Sequence, residues 1–261
     1  MHVHCEDLPD VARYIEQHAD IAFEDQKPTI EGIIDTVRKY KSLDSKTRIL
    51  EIGVGSGWLQ VYCKKQGLQI HGLEISAQLA AFAKEVGQKY GTELDIEVGN
   101  IEMTDIGVAE HDVIIASSVF EHVEDWQRGV KKIYQALKPG GVFFFSATNK
   151  FSFTSGEYNF PLYGWMPNGW RYRLRRARQG EDIMKLGIDF HQFTYPQLRR
   201  AFKRTGFSTV LDLVDYKDVS QMRSRQLWKK KVFGLMKTHK PLKHLYLTFA
   251  TSTYFICVKG V

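Results

Sequence analysis

The sequence predicts a doubly wound α/β domain with a seven-stranded, mostly parallel sheet and helices on both faces. Three observations carry that expectation. Short apolar runs alternate with helical stretches through residues 45–149, and a glycine-rich turn follows the first run. The run Val142-Phe143-Phe144-Phe145 is apolar at every position, as a strand covered on both faces requires.

Residues 1–44 read as two or three polar helices, a helical cap with no strand signal. Arg48–Ile52 is the first strand and runs into Gly53-Val54-Gly55-Ser56-Gly57. Trp58 to Gln66 is then a helix, stopped by Gly67. Gln69–Glu74 is a second strand, and Ala77 to Tyr90 a second helix ended by Gly91. Leu94–Val98 gives a third strand, and His111–Ala116 a fourth. Trp126–Leu137 follows as a helix and Gly141–Ala147 as a fifth strand. This alternation implies right-handed crossovers, hence a parallel sheet, with its core in residues 45–149.

The periodicity lapses from Lys150, so residues 150–190 read as a lid or acceptor-binding insertion. Residues 191–261 complete the core with a helix at Tyr195–Thr205 and strands at Ser208–Val214 and Thr253–Val258. The last two strands are expected to form an antiparallel edge, with a basic insertion at 217–250 between them.

Hydrophobic residues make up 43% of the chain and charged residues 25%, ordinary proportions for a globular protein with a real core. Cys5, Cys63 and Cys257 are odd in number, far apart and without a CxxC pair. They give neither a disulfide framework nor a zinc site, and they point to a reducing, cytoplasmic setting. The polar N-terminus lacks the apolar core of a signal peptide. Leu245–Val258 is too short and too polar to span a bilayer.

The net charge of +6 is concentrated. Residues 217–250 carry nine Lys/Arg against Asp218 alone, and residues 150–180 carry six against Glu157, which leaves the remainder acidic.

The first turn is the strongest local signal. Glycines at 53, 55 and 57 let the backbone take positive φ and let a ligand approach, while the following helix start offers free N–H donors. A dinucleotide-binding turn would read G-x-G-x-x-G, but Trp58 stands where its last glycine belongs, and Glu51 precedes the turn. Glu74 closes the second strand, with Ile75 beside it. A carboxylate there can accept from both hydroxyls of a ribose at the sheet's carboxyl edge.

With Gly99-Asn100-Ile101, the run Ala116 to Asp125 and Leu137-Lys138-Pro139-Gly140-Gly141, the set resembles class I S-adenosylmethionine-dependent methyltransferases. The resemblance covers residues 45–149 in order, and more loosely His191 to Phe207. It implies a Rossmann-like methyltransferase fold that uses S-adenosylmethionine and releases S-adenosylhomocysteine. It also implies Gly53, Gly55 and Gly57 around the methionine moiety, with Glu51 and Ile75 in the same pocket. Glu74 would hold the ribose, Asn100 and Ile101 the adenine, and Ser117 would lie near the sulfonium.

Phe120-Glu121-His122-Val123 looks most like the methyltransferases of ubiquinone biosynthesis and their small-molecule relatives. In those enzymes the stretch reads Glu-x-x-Glu-His and can hold a divalent metal. Ser118 stands in place of the first acid here, and the remaining Glu121 and His122 make a poor cage, so no metal is expected.

His122 and His191 are the catalytic candidates. An imidazole at His122 can take the proton of a hydroxyl being methylated, or it can pack under the cofactor; the sequence leaves both open. His191 either faces the acceptor or hydrogen-bonds its own loop, and the latter is the simpler reading.

The two basic, aromatic segments admit three partners. One is a small or lipid-like acceptor beneath a lid, another an anionic membrane surface touched peripherally, and the third RNA. The first is preferred for Trp165 and Trp170, with membrane contact added for residues 227–249. Nucleic acid ranks last, because no RNA-binding module is appended. Methyl transfer to oxygen is the expected reaction; an RNA methyltransferase and a cofactor-binding protein without turnover are the alternatives.

Overall fold

The computed structural model describes residues 11–154, 161–179, 191–218 and 227–261. Strands β1 (Arg48–Ile52), β2 (Gln69–Glu74), β3 (Ile96–Val98), β4 (His111–Ser117) and β5 (Leu137–Thr148) pair in parallel. Helices α3 (Trp58–Lys65), α4 (Ala77–Lys89) and α5 (Trp126–Ala136) supply crossovers between them. β7 (Ser252–Val258) lies antiparallel to both β5 and β6 (Thr209–Asp212), giving the order β3-β2-β1-β4-β5-β7-β6. The order reverses between β1 and β4, so the chain leaves their carboxyl ends in opposite directions, the place where open α/β sheets form their ligand crevice.

Strand alternation builds a core on each face. Leu50, Ile52, Ile114, Phe143 and Phe145 pack against α5 and against α7 (Tyr195–Thr205). Ile49, Val113, Ile115, Val142 and Phe144 pack against α3, α4 and α2 (Phe23–Arg38). Burying each such side chain contributes roughly 1.5–3 kcal/mol, which is what holds the strand ends in register beneath the crevice.

The expected helical cap is seen as α1 (Ala12–Ala19) and α2, while residues 1–10, including Cys5, lie outside the described residues. Three boundaries differ from the sequence reading. β3 begins at Ile96 rather than Leu94. β5 begins at Leu137 and absorbs the Leu-Lys-Pro-Gly-Gly stretch expected as a turn. β6 stops at Asp212 because its carboxylate accepts from Val214 N and Asp215 N at 3.0 and 3.2 Å, starting α8 (Leu213–Tyr216) where a strand was expected.

Both insertions contain helices that the sequence reading missed: α6 (Asn168–Gln179), and the pair α9 (Leu227–Thr238) and α10 (Lys240–Phe249). Residues 155–160 and 180–190 of the expected lid, and 219–226 of the basic insertion, lie outside the described residues. Arg171 of α6 is fully buried, stacks over the Tyr163 ring and donates to Asn168 Oδ1 at 2.6 Å. α10 is pinned beneath by Lys243, whose ammonium lies 2.7 Å from Asp212 Oδ2 and also pairs with Asp215. Its far end is tied to the carboxyl end of β5 by Asn149 Nδ2, which donates to Leu247 O at 2.8 Å and Thr248 O at 3.1 Å. The α9–α10 hairpin is therefore anchored to the core beside the crevice. Among the described residues no helix is long and apolar enough to cross a membrane.

Candidate active site

The glycine turn leaves β1 directly into the crevice. Gly53 N–H donates to Leu73 O at 2.8 Å, extending the β1–β2 ladder one step past the strand. The next two glycines turn the chain so that Gly57 precedes the first residue of α3. Gly53 and Gly55 have φ of +73° and +55°, and each is also crowded. A Cβ on Gly53 would stand 2.4 Å from Val119 Cγ2, and one on Gly55 2.9 Å from the Tyr14 hydroxyl. These atoms come from the loop after β4 and from α1, so both elements close on the turn.

Glu74 ends β2 with its side chain turned onto the glycine turn. Its side chain is buried, with Oε2 accepting from Gly55 N–H at 2.9 Å and Oε1 from Ser76 N–H at 3.0 Å. Burial raises its pKa, and the amides of Gly55 and Ser76 hold part of that rise back. Ile75 lies between Glu74 and Ser76, whose hydroxyl caps α4 by accepting from Leu79 N–H.

Glu51 is set deeper than the turn it precedes. Burial drives its pKa well up, with the Gln60 amide at its side and the Glu74 charge nearby. Oε2 of Glu51 meets no partner among the described residues. Past β3, Gly99 N–H donates to Glu74 O, and Asn100 is buried, with Oδ1 accepting from Glu102 N–H at 2.8 Å. Ile101 is buried in the core with Phe120 and Trp126.

The loop after β4 carries the remaining candidates. The hydroxyls of Ser117 and Ser146 lie 2.9 Å apart across β4 and β5. Ser118 takes a left-handed φ of +56°, a strained conformation for a residue with a side chain. A short 3-10 turn at Phe120–His122 follows, placing His122 half-buried at the same strand end as Ser117.

His191 is held from two sides. Its N–H donates to Glu121 O at 3.2 Å, and its ring Nε2 lies 2.7 Å from Glu124 O, within reach to donate to it. Its ring also stacks on Phe193. This is the geometry of an anchor for the His122 loop. Sequence reasoning missed Glu121 in that role: its buried carboxylate accepts from Thr148 N–H and ties the loop to β5. Among the described residues, no group of three or more His, Cys, Asp or Glu side chains is placed to hold a metal ion.

The family model described as a methyltransferase domain matches residues 50–145. Residues 50–145 are thus similar to a methyltransferase domain. The chain is similar to ubiquinone biosynthesis O-methyltransferases. It is 27% identical over 165 residues to that of Coxiella burnetii (63% of this chain, 64% of the relative). It is 29% identical over 141 residues to that of Idiomarina loihiensis (51% of this chain, 57% of the relative). The chain thus spans less than two thirds of the length of these relatives.

Among solved structures, the fold is shared with phosphoethanolamine N-methyltransferase 2 of Haemonchus contortus. The TM-score is 0.58 at 20% identity, covering 90% of this chain and 53% of that one. An S-adenosylmethionine-dependent methyltransferase of Mesorhizobium loti shares it too, with a TM-score of 0.56 at 19% identity, covering 92% and 99%.

Proposed function

We propose that the chain transfers a methyl group from S-adenosylmethionine to an oxygen of a small or lipid-like acceptor. The observation that carries this reading is Glu74, a buried carboxylate clasping the glycine turn at the point where the strand order reverses. When bound, the donor supplies a methyl group already activated by positive sulfur, and transfer leaves S-adenosylhomocysteine.

The residues present fit that ligand. Glu74 brings a buried carboxylate to the turn, and Glu51 has an unpartnered oxygen beneath it. The chain's main task is then alignment in a site shielded from water, an effect that supplies about 7–11 kcal/mol in well-oriented reactions. His122 takes the acceptor proton as the oxygen is methylated, while Glu121 and His191 hold the His122 loop against β5 and α5.

Two features support a lipid-like acceptor met at a membrane surface. Most of the exposed large apolar side chains among the described residues lie in the two insertions, including Phe153, Trp165, Trp170, Trp228, Leu235 and Leu245. The insertions also meet: Phe153, Trp165 and Phe249 stack with ring centroids 5.5–5.9 Å apart. The sequences of α6, α9 and α10 contain no acidic residue, which suits anionic headgroups.

Incubating labelled donor with fractionated cell extract tests the reading. Label is expected in the organic-soluble fraction for the native protein and lost with Glu74→Gln; label in RNA alone would overturn the acceptor assignment. Co-sedimentation with anionic vesicles, weakened by salt, is the expected outcome for membrane contact.

A further inference from the structure

The crossovers β1–β2, β2–β3 and β4–β5 each carry a helix, but residues 99–110, which join β3 to β4, carry none. A cavity of about 640 Å³ lies beside that loop, lined by the first residues of β1, β2 and β4. It is at the amino ends of the strands, away from the carboxyl ends where the glycine turn and Glu74 stand. Its size falls within the roughly 300–1,000 Å³ typical of small-molecule sites.

His111, which opens β4, lines the cavity and is only 7% exposed. Its Nε2 lies 3.0 Å from Ile106 O, and a carbonyl can only accept, so Nε2 carries the proton. Burial holds the imidazole pKa below its ordinary value, which keeps the ring neutral. Nδ1 is then a bare lone pair, buried and without a partner among the described residues. A buried acceptor left unmet calls for an N–H or O–H donor. The loop that leads to it is held in place. Ala109 and Glu110 donate their N–H groups to Gln135 O and Ala136 O, at the end of α5.

The charges on the cavity wall decide what kind of donor fits. Asp95, Glu97, Asp105 and Glu110 stand against Arg48 and Lys64, an excess of two acids over the lysine and arginine. Arg48 is already taken by Glu110 at 3.0 Å. Acids are thus present at both ends, Asp105 in the loop before His111 and Asp95 with Glu97 at β3, where His71 lies 3.0 and 3.7 Å from them. In the order β3-β2-β1-β4 these ends are three strand spacings apart, about 14 Å. Leu68, Ile70 and Ile106 add apolar surface to the same wall.

We propose that this cavity is a second ligand site and that it binds a linear polyamine. One ammonium end donates to His111 Nδ1 beside Asp105, the other end meets Asp95 and Glu97, and the methylenes lie on the apolar wall. Among the described residues, no three of these side chains are placed to hold a metal ion, so the cation that fits is an organic one. Nothing in this site depends on the methyltransferase reading.

Calorimetry with spermidine on the full chain tests the proposal. The native protein is expected to bind it saturably, and the double variant Asp95→Asn, Glu97→Gln about tenfold more weakly, as loss of two solvent-screened charge contacts implies. Those two side chains are 67% and 50% exposed, so the variant keeps its fold. In nitrogen NMR, the His111 Nδ1 resonance is expected to shift on saturation, because its lone pair gains a donor.

Failure of the native protein to bind spermidine, or equal affinity in the double variant, would overturn the proposal. Binding that leaves the His111 resonance in place would overturn it too, by putting spermidine elsewhere on the acidic surface.

Discussion

Gly53→Ala probes the junction between the glycine turn and the loop that carries His122. Alanine at a φ of +73° costs about 1–2 kcal/mol in backbone strain. Its Cβ would also stand 2.4 Å from Val119 Cγ2 and 3.0 Å from Cγ1, an overlap of the kind that costs about 1–3 kcal/mol in packed regions. The total of about 2–5 kcal/mol is a large share of a typical domain's stability. At this chain length it corresponds to a fall in Tm of roughly 4–20 °C. Differential scanning calorimetry without ligand measures it. Val119→Ala removes the overlapping methyls, so the double variant should recover about 1–3 kcal/mol and keep the backbone strain. A Gly53→Ala protein that melts like the native one, or a double variant with purely additive losses, would refute the steric account.

Three further outcomes follow from the geometry. Glu51 has its carboxyl pKa well above the usual 4.5 because it is buried. The folded state then keeps a proton that the unfolded state gives up, so stability falls as pH rises from the ordinary glutamate range toward the raised value. Glu51→Gln should therefore lose less Tm than the native protein between about pH 5 and 8, and parallel curves would contradict this. Lys243→Ala strands a buried Asp212 without its cation, at a cost of about 3–5 kcal/mol in urea unfolding; Lys243→Met and native proteins with equal midpoints would show that the pair is idle. His122→Ala should reduce turnover by about 10²–10⁴-fold with donor affinity unchanged by calorimetry, and full turnover would make His122 a packing residue.

The turn, Glu74 and the five parallel strands were legible because each is local. A strand followed by alternating glycines needs only neighbouring residues to be recognised, and an acid at the end of the next strand has a fixed place in a βαβ unit. What escaped depends on contacts between distant segments. Tyr14 reaches Gly55, and Glu121 reaches Thr148, with no periodic trace of either contact in the sequence. Asp212 reads as a strand residue until its carboxylate turns onto the next two amides. α6 was hidden because arginines stand where an apolar stripe would be sought, and one of them, Arg171, is buried. His191 was the reverse case, a histidine suggestive of chemistry that is occupied with holding Glu121 and Glu124 carbonyls.

The placement of β7 has a consequence for how the molecule assembles. β6 is synthesised first, yet its only strand neighbour among the described residues is β7, which arrives a whole helical hairpin later. Until then β6 lacks its partner strand, although β1 to β5 can already pair in order. Late, long-range closure of this kind slows folding and leaves an open β5 edge exposed on the nascent chain.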